Sequence, residues 1–294
     1  METTEPPVRP PWVLPVFLVL AVLSPLAAVF VGVADIPPAD VVAALTGQVA
    51  GRAGSVILDI RLPRIVVGVL AGIHFAVAGL LLQTVTRNPL ADPSLIGVSQ
   101  GATLAVTVFL LATVYAHDPG ANTVAELPLA WLPAVAVVGG VGAGAGIYLL
   151  AMRRDLGPLR LTLCGIAVGA FLHALAIGLI AGWGSARIEI LLEWLSGSLY
   201  ARSWDHVVFL LPFTGIGLAA LPLLRRSLDL LRFDAAVARS FGLSYHRHFM
   251  LALLLACGLA ASAVGVVGPI VFVGLVVPTS LARWQVATAI SSCR

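Results

Sequence analysis

The chain has 294 residues, of which 60% are hydrophobic and 11% charged, with a mean hydropathy of +1.03. A soluble domain is about 45–50% apolar and about 25% charged, so this composition excludes a domain with a sizeable soluble core and demands a chain that spends most of its length in a bilayer. The net charge is +3 and every basic residue is an arginine, 17 in all, so the informative quantity is where those arginines fall between the apolar runs.

Residues 1–11 are acidic and proline-rich and lack the basic start of a cleaved signal, so they read as a short cytoplasmic tail before a retained first span. Windows of about 20 apolar residues then mark spans over 12–33, 64–84, 94–115, 129–152, 161–183, 206–224 and 248–267. A shorter run, 268–278, extends to about 283 and makes an eighth, joined to the seventh around Gly268-Pro269. The fold class is therefore all-α, a polytopic membrane helical bundle. With the N-terminus inside, twelve arginines fall in inner segments and five in outer ones (Arg52, Arg61, Arg64, Arg187 and Arg202), which supports that orientation.

Between the first two spans, Pro-Pro-Ala-Asp at 37–40 and Gly47 bracket a short helix at the surface. After the second, Asn88-Pro89 disfavours continued helix, and Asp92-Pro93 predicts a restart with Asp92 as N-cap. Glycines four apart place small residues on one helix face, where backbones can approach closely. The pairs are Gly68 and Gly72, Gly97 and Gly101, Gly140 and Gly144, and Gly165 and Gly169. The long inner loop holds Asp234 as a plausible N-cap and Gly242 as a plausible C-terminal cap, with Ala238 and Arg239 on the turns between; this short helix is either a docking element or a connector.

Residues fit for chemistry are few. No acidic side chain falls at the middle of a span, which weighs against a secondary transporter or proton pump. His74 and His173 are the midspan ionisable groups; each is a candidate to line a pathway or to bond a neighbouring helix. Cys164, Cys257 and Cys293 are too dispersed for a disulfide framework or metal site, and no cofactor is implied. The G-x-x-x-x-G-K-[ST] phosphate loop is absent, no nucleophile setting suits an intramembrane hydrolase, and no basic stripe suits nucleic acid.

Six stretches carry a resemblance: "RLPRIVVGVLAGIHFAVAGLLLQ", "RNPLADPSLIGVSQGA", "LCGIAVGAF", "WLSGSL", "ARSFGL" and "GPIVFVGLVVP". In this order, over about residues 57–278, they resemble the FecCD-type permeases of ATP-driven importers for iron-siderophores, haem and vitamin B12. The resemblance implies a ten-span permease that pairs with a second permease, two cytoplasmic ATPase subunits and an external binding protein, and that is not itself an enzyme. It implies that Arg61 and Arg64 meet carboxylates on the binding protein. It also implies that 234–242 is the coupling helix for the ATPase and that the fifth span lines the substrate path. An iron-siderophore is the expected cargo, with vitamin B12 or haem as the alternative.

Past Pro278 the resemblance stops. The family continues with a His, an I-A-R run, a Gly-Gly-Asp loop and two more spans, whereas this chain reads "TSLARWQVATAISSCR". Synonymous codons for that tail, read two bases on, translate to a family-like I-A-R-E-V-A-G-G-D. The expectation is a membrane domain over 12–283 lacking its last two spans, followed by an aberrant tail over 284–294, with transport competence in doubt.

Overall fold

A computed structural model describes residues 13–32, 34–48, 51–94, 96–115, 129–152, 157–182 and 196–276. These residues are mostly helical, with no strand among them. Helix α1 (Val13–Phe30) is apolar all round and exposed on nearly every side, as a helix facing lipid is. Helix α2 (Pro38–Leu45) is the short surface helix expected from the sequence. Pro38 sits at its first turn, and Gly47 takes the left-handed conformation just past its end (φ 75°).

Helix α3 (Arg52–Thr86) starts well before the expected 64 because a π-helical turn, Val56–Arg61, bridges Arg52–Ser55 to the main span. It ends where predicted, at the Arg87-Asn88-Pro89 turn. The restart differs from expectation. Asp92 Oδ1 accepts from the Ser94 N–H (2.9 Å) and hydroxyl (2.6 Å), closing a turn on its own backbone instead of capping a helix. Helix α4 (Val98–Leu110) begins only after Gly97, whose φ of 77° turns the chain a second time, and continues as a π-helical turn over Leu111–Tyr115.

Helix α5 (Leu132–Met152) and helix α6 (Pro158–Gly182) follow. Helix α7 (Trp204–Leu231) runs past the expected 224, carrying Arg225 and Arg226 within it. Helix α8 (Ala235–Ser240) is a short element, and helix α9 (Tyr245–Val267) stops at Gly268-Pro269. Among the described residues, five helices are long and apolar enough to cross a membrane, and two shorter apolar ones cover Pro15–Phe30 and Val98–Thr113. Seven of the eight expected spans thus coincide with described helices. The eighth is irregular through Phe272 and leaves the described residues after 276, so the expected break past Pro278, the 284–294 tail and the frame shift all lie outside them.

Helix α9 is the hub. It is buried along most of its length and packs against α3, α5, α7 and α4. One apolar cluster gathers Leu81, Leu82, Ile147, Leu231, Phe249 and Leu253 toward the α8 end; another gathers Val67, Phe75, Val106, Leu210 and Val264 toward the opposite end. Lipid tails are as apolar as leucine, so the gain on association comes from close packing more than from leaving water. The α4–α5 crossing shows what this requires. A methyl group on Gly101 would overlap Ala143 Cβ and sit 2.7 Å from Gly139 O, and one on Gly139 would sit 2.5 Å from Gly101 O.

The glycine pairs divide accordingly. A methyl on Gly97 would be 3.4 Å from both Gly165 O and Gly169 Cα, so that part of the pattern joins α4 to α6. Gly140 and Gly144 receive Ala261 and Cys257 of α9. Gly68 meets only the end of the Leu199 side chain, and Gly72 faces open space, so the Gly68–Gly72 pair makes no close helix approach.

Candidate functional site

Helix α8 projects from one end of the bundle. Asp234 occupies its N-cap with extended backbone (φ −61°, ψ 151°), but its carboxylate makes no cap bond. It pairs with Arg87 Nη1 at 2.5 Å instead. The C-terminal end is a complete Schellman closure: Leu243 N–H donates to Ala238 O (3.1 Å), Gly242 N–H donates to Arg239 O (2.9 Å), and Gly242 holds φ 80°. Ala238 is fully buried in the core, whereas Val237 and Phe241 are exposed, Phe241 at 62%. Arg239 lies on the surface, 3.4 Å from His246 Nε2. The helix therefore plugs one small residue into the bundle and presents apolar side chains outward.

Mid-bundle, His74 is fully buried between α3, α7 and α9. Its Nδ1 lies 2.9 Å from Ser262 Oγ and its Nε2 2.7 Å from Thr214 Oγ1. A neutral imidazole has one donor and one acceptor, so it serves both contacts without placing a charge in the bilayer once one hydroxyl turns its proton from its own helix carbonyl, Leu210 O for Thr214 or Leu259 O for Ser262, to the ring. His74 thus ties three helices and fronts no open path here. His173 is placed quite differently, exposed on the side of α6 that also carries Ile166 and Ile177. A groove of about 690 Å³ between α4, α5 and α6 is lined by glycines and apolar side chains, including Leu104, Phe109, Ile147 and Leu172. It offers no polar side chain to a charged chelate.

The opposite end holds the two arginines of "RLPR", which the structure separates in role. Arg61 is 7% exposed. Its Nη1 donates to Val29 O (3.2 Å) and its Nη2 to Ala34 O, clamping the chain that leaves the C-terminus of α1. A cation at that position also complements the helix dipole. Arg64 is half-buried, its guanidinium 5.8 Å from the centroid of the Tyr200 ring and its Nε without a hydrogen-bond partner. Of the pair, Arg64 is the one whose side chain is not committed to backbone carbonyls.

Beside them the π-helical turn has a traceable consequence. Its register gives the Leu62 N–H to Ile57 O, and Pro63 has no N–H to offer Leu58 O. The Trp204 indole N–H fills that gap, donating to Leu58 O at 3.0 Å and locking the start of α7 to α3.

Sequence reasoning missed Arg87, Thr214, Ser262, Tyr245 and Trp204. Each gains its role from a partner more than thirty residues away, and no spacing in the sequence signals that. Among the described residues no group of three or more His, Cys, Asp or Glu side chains is placed to hold a metal ion, and Cys164 and Cys257 are free thiols.

The brace at Arg61 makes a direct prediction. Arg61→Ala leaves the Val29 and Ala34 carbonyls without their cationic donor, and hydrogen bonds to charged groups contribute about 1.5–3 kcal/mol. The thermal transition of the detergent-solubilised chain is expected to fall by roughly 3–10 °C, with Arg61→Lys only partly restoring it. An unchanged transition in Arg61→Ala would mean that α1 is held by its apolar contacts alone.

Residues 18–292 match the FecCD transport family. The match runs past Pro278, where the motif resemblance was expected to stop. The chain is 35% identical over 273 residues to the ferric enterobactin transport system permease protein FepD of Escherichia coli (strain K12), covering 92% of this chain and 78% of that one. It is 31% identical to the iron(3+)-hydroxamate import system permease protein FhuG of Bacillus subtilis (strain 168), covering 92% and 79%. Among solved structures, a chain of an inward-facing ABC transporter of metal-chelate type aligns with a TM-score of 0.74 at 26% identity, over 95% of this chain and 82% of that chain. The helical bundle and these matches agree: the chain belongs to the FecCD transport family.

Proposed function

We propose that the chain is the permease subunit of an ATP-binding-cassette importer in the cell membrane, N-terminus cytoplasmic, moving an iron-siderophore complex inward. The cargo rests on the relatives, which are permease proteins for ferric enterobactin, iron(3+)-hydroxamate and Fe(3+)-citrate. The mode of drive rests on α8. A capped helix that exposes Val237 and Phe241 at one end of the bundle, with Ala238 as its foothold, has the form of a docking element for a soluble subunit. The long helices carry their described aspartates, Asp59, Asp205 and Asp229, near helix ends, so an intramembrane proton relay finds no carboxylate at its centre.

In this reading two ATPase subunits bind and hydrolyse ATP, a second permease subunit pairs with this one, and alternating access moves the cargo. The permease performs no covalent chemistry. The exposed face of α6 with His173 borders the path between the two permeases, and the Arg64 end receives the external binding protein. The test is ATP-dependent uptake of iron-55 as its enterobactin, hydroxamate or citrate complex into vesicles carrying the assembled complex. Uptake that survives inactivation of the ATPase, or that follows a proton gradient instead, would overturn the reading.

The docking end gives its own prediction. Arg64→Glu replaces a cation beside Tyr200 with an anion, and like charges across an interface cost several kcal/mol. Affinity for the binding protein at low salt is expected to fall at least tenfold, with the residual affinity less salt-sensitive. Undiminished affinity would remove Arg64 from the interface.

A further inference from the structure

We infer that Arg87 is the positioning residue through which movement of α8 reaches the rest of the bundle, an inference that rests on α8 being the ATPase-docking helix. The guanidinium of Arg87 joins three other elements. Nε donates to Leu231 O at the end of α7 (3.2 Å), Nη1 to the Asp234 carboxylate at the head of α8 (2.5 Å), and Nη2 to the Tyr245 hydroxyl at the start of α9 (3.1 Å). Its own backbone closes α3: Asn88 N–H donates to Gln83 O (3.2 Å), and Arg87 takes φ 52°, ψ 32°. Four helix ends therefore meet at one side chain.

Two observations separate positioning from stabilisation. A left-handed non-glycine residue is strained, so for closing the turn alone glycine is the better residue. Asp234 is 82% exposed, and exposed ion pairs contribute little to stability. The pair thus adds little net stability, and its backbone carries a strain that glycine would relieve. What the arrangement supplies is orientation. Ala238 and Leu243 hold α8 by apolar contact, which allows the helix to pivot, whereas the fork from Arg87 fixes its N-terminal end relative to α3, α7 and α9. Displacement of α8 then pulls on three long helices, all of which run to the Arg64 end of the bundle.

The test compares Arg87→Gly and Asp234→Asn with the wild-type chain, assembled with its second permease and ATPase subunits in nanodiscs, before and after trapping with Mg-ATP and vanadate. Amide hydrogen exchange is read at α8 and at Val56–Arg61. In the wild type, trapping is expected to change exchange at both places. In Arg87→Gly the ATPase still co-purifies and α8 still responds, but the change at Val56–Arg61 shrinks at least fivefold. Asp234→Asn, which removes only the ion pair, loses part of it. Without nucleotide, exchange over 235–240 rises about tenfold in Arg87→Gly while the α9 interior is unmoved.

A full response at Val56–Arg61 in Arg87→Gly overturns the inference, as does loss of ATPase co-purification, which would make Arg87 a determinant of assembly. The underlying reading is tested apart. If Val237→Asp with Phe241→Asp leaves ATPase co-purification intact, α8 is not the docking helix, whatever Arg87 does.

Discussion

Gly101→Val is expected to prevent the chain from accumulating as a folded membrane protein. The first added carbon overlaps Ala143 and lies 2.7 Å from the Gly139 carbonyl oxygen, and neither group can rotate away, one being a Cβ and the other backbone. Relief requires α4 and α5 to separate along their crossing, which sacrifices contacts on both sides. Overpacking in a core costs about 1–3 kcal/mol where side chains can yield; with backbone in the way the cost is at the top of that range or beyond it. Gly72→Ala is the matched control. Gly72 lies inside a helix with nothing near its added methyl, and alanine is favoured over glycine in a helix by about 1 kcal/mol. That variant is expected to match or exceed the wild-type thermal transition, measured in detergent by loss of monodisperse protein on heating. Equal stability of Gly101→Val and wild type would mean that the crossing is looser than its geometry.

Gly242→Val carries the second large effect, on assembly and not on the bundle. No neighbour lies within 4 Å of a methyl at Gly242, so the penalty is confined to its φ of 80°. A β-branched residue is an outlier there, and strained backbone of this kind costs about 1–3 kcal/mol. The Leu243-to-Ala238 and Gly242-to-Arg239 bonds both depend on that turn, so α8 loses its C-terminal closure and the fixed presentation of Val237 and Phe241. Co-purification of the ATPase is expected to fall at least tenfold, while the thermal transition of the isolated permease moves by a few degrees at most. Normal co-purification would reduce α8 to a connector. The two variants separate two kinds of glycine: one is needed for what a side chain would hit, the other for what the backbone must do.

Much of this molecule follows from local chemistry. The apolar windows mark helices because a bilayer leaves backbone groups no partner but each other. The brackets of α2 and α8 were legible in position, proline or aspartate at the head and glycine past the tail, because turns act within a few residues, although the Asp234 carboxylate goes to Arg87 and not to a cap bond. The six family motifs were legible for the same reason, and with them the membership of the chain. The start of α4 was misread for a reason equally local: Asp92 has two ways to satisfy its carboxylate, and the turn onto Ser94 prevails over the helix cap.

Tertiary structure decided what the local pattern leaves degenerate. Four glycine pairs share one spacing, yet three accept a neighbouring helix and Gly72 faces open space, because periodicity specifies a face and not what covers it. Two arginines three residues apart look equivalent, yet Arg61 is consumed by the end of α1 while Arg64 stays beside Tyr200. His74 and His173 both sit at midspan, yet one is sealed among α3, α7 and α9 and the other lies on the exposed face of α6. Arg87 counts in sequence as one positive charge at the end of a span. It becomes a junction only because α7, α8 and α9 bring a carbonyl, a carboxylate and a hydroxyl to within 3.2 Å of its fork. Hydrogen bonds act over a few ångströms, and which distant groups arrive within that range is set by helix packing, which no window of sequence contains.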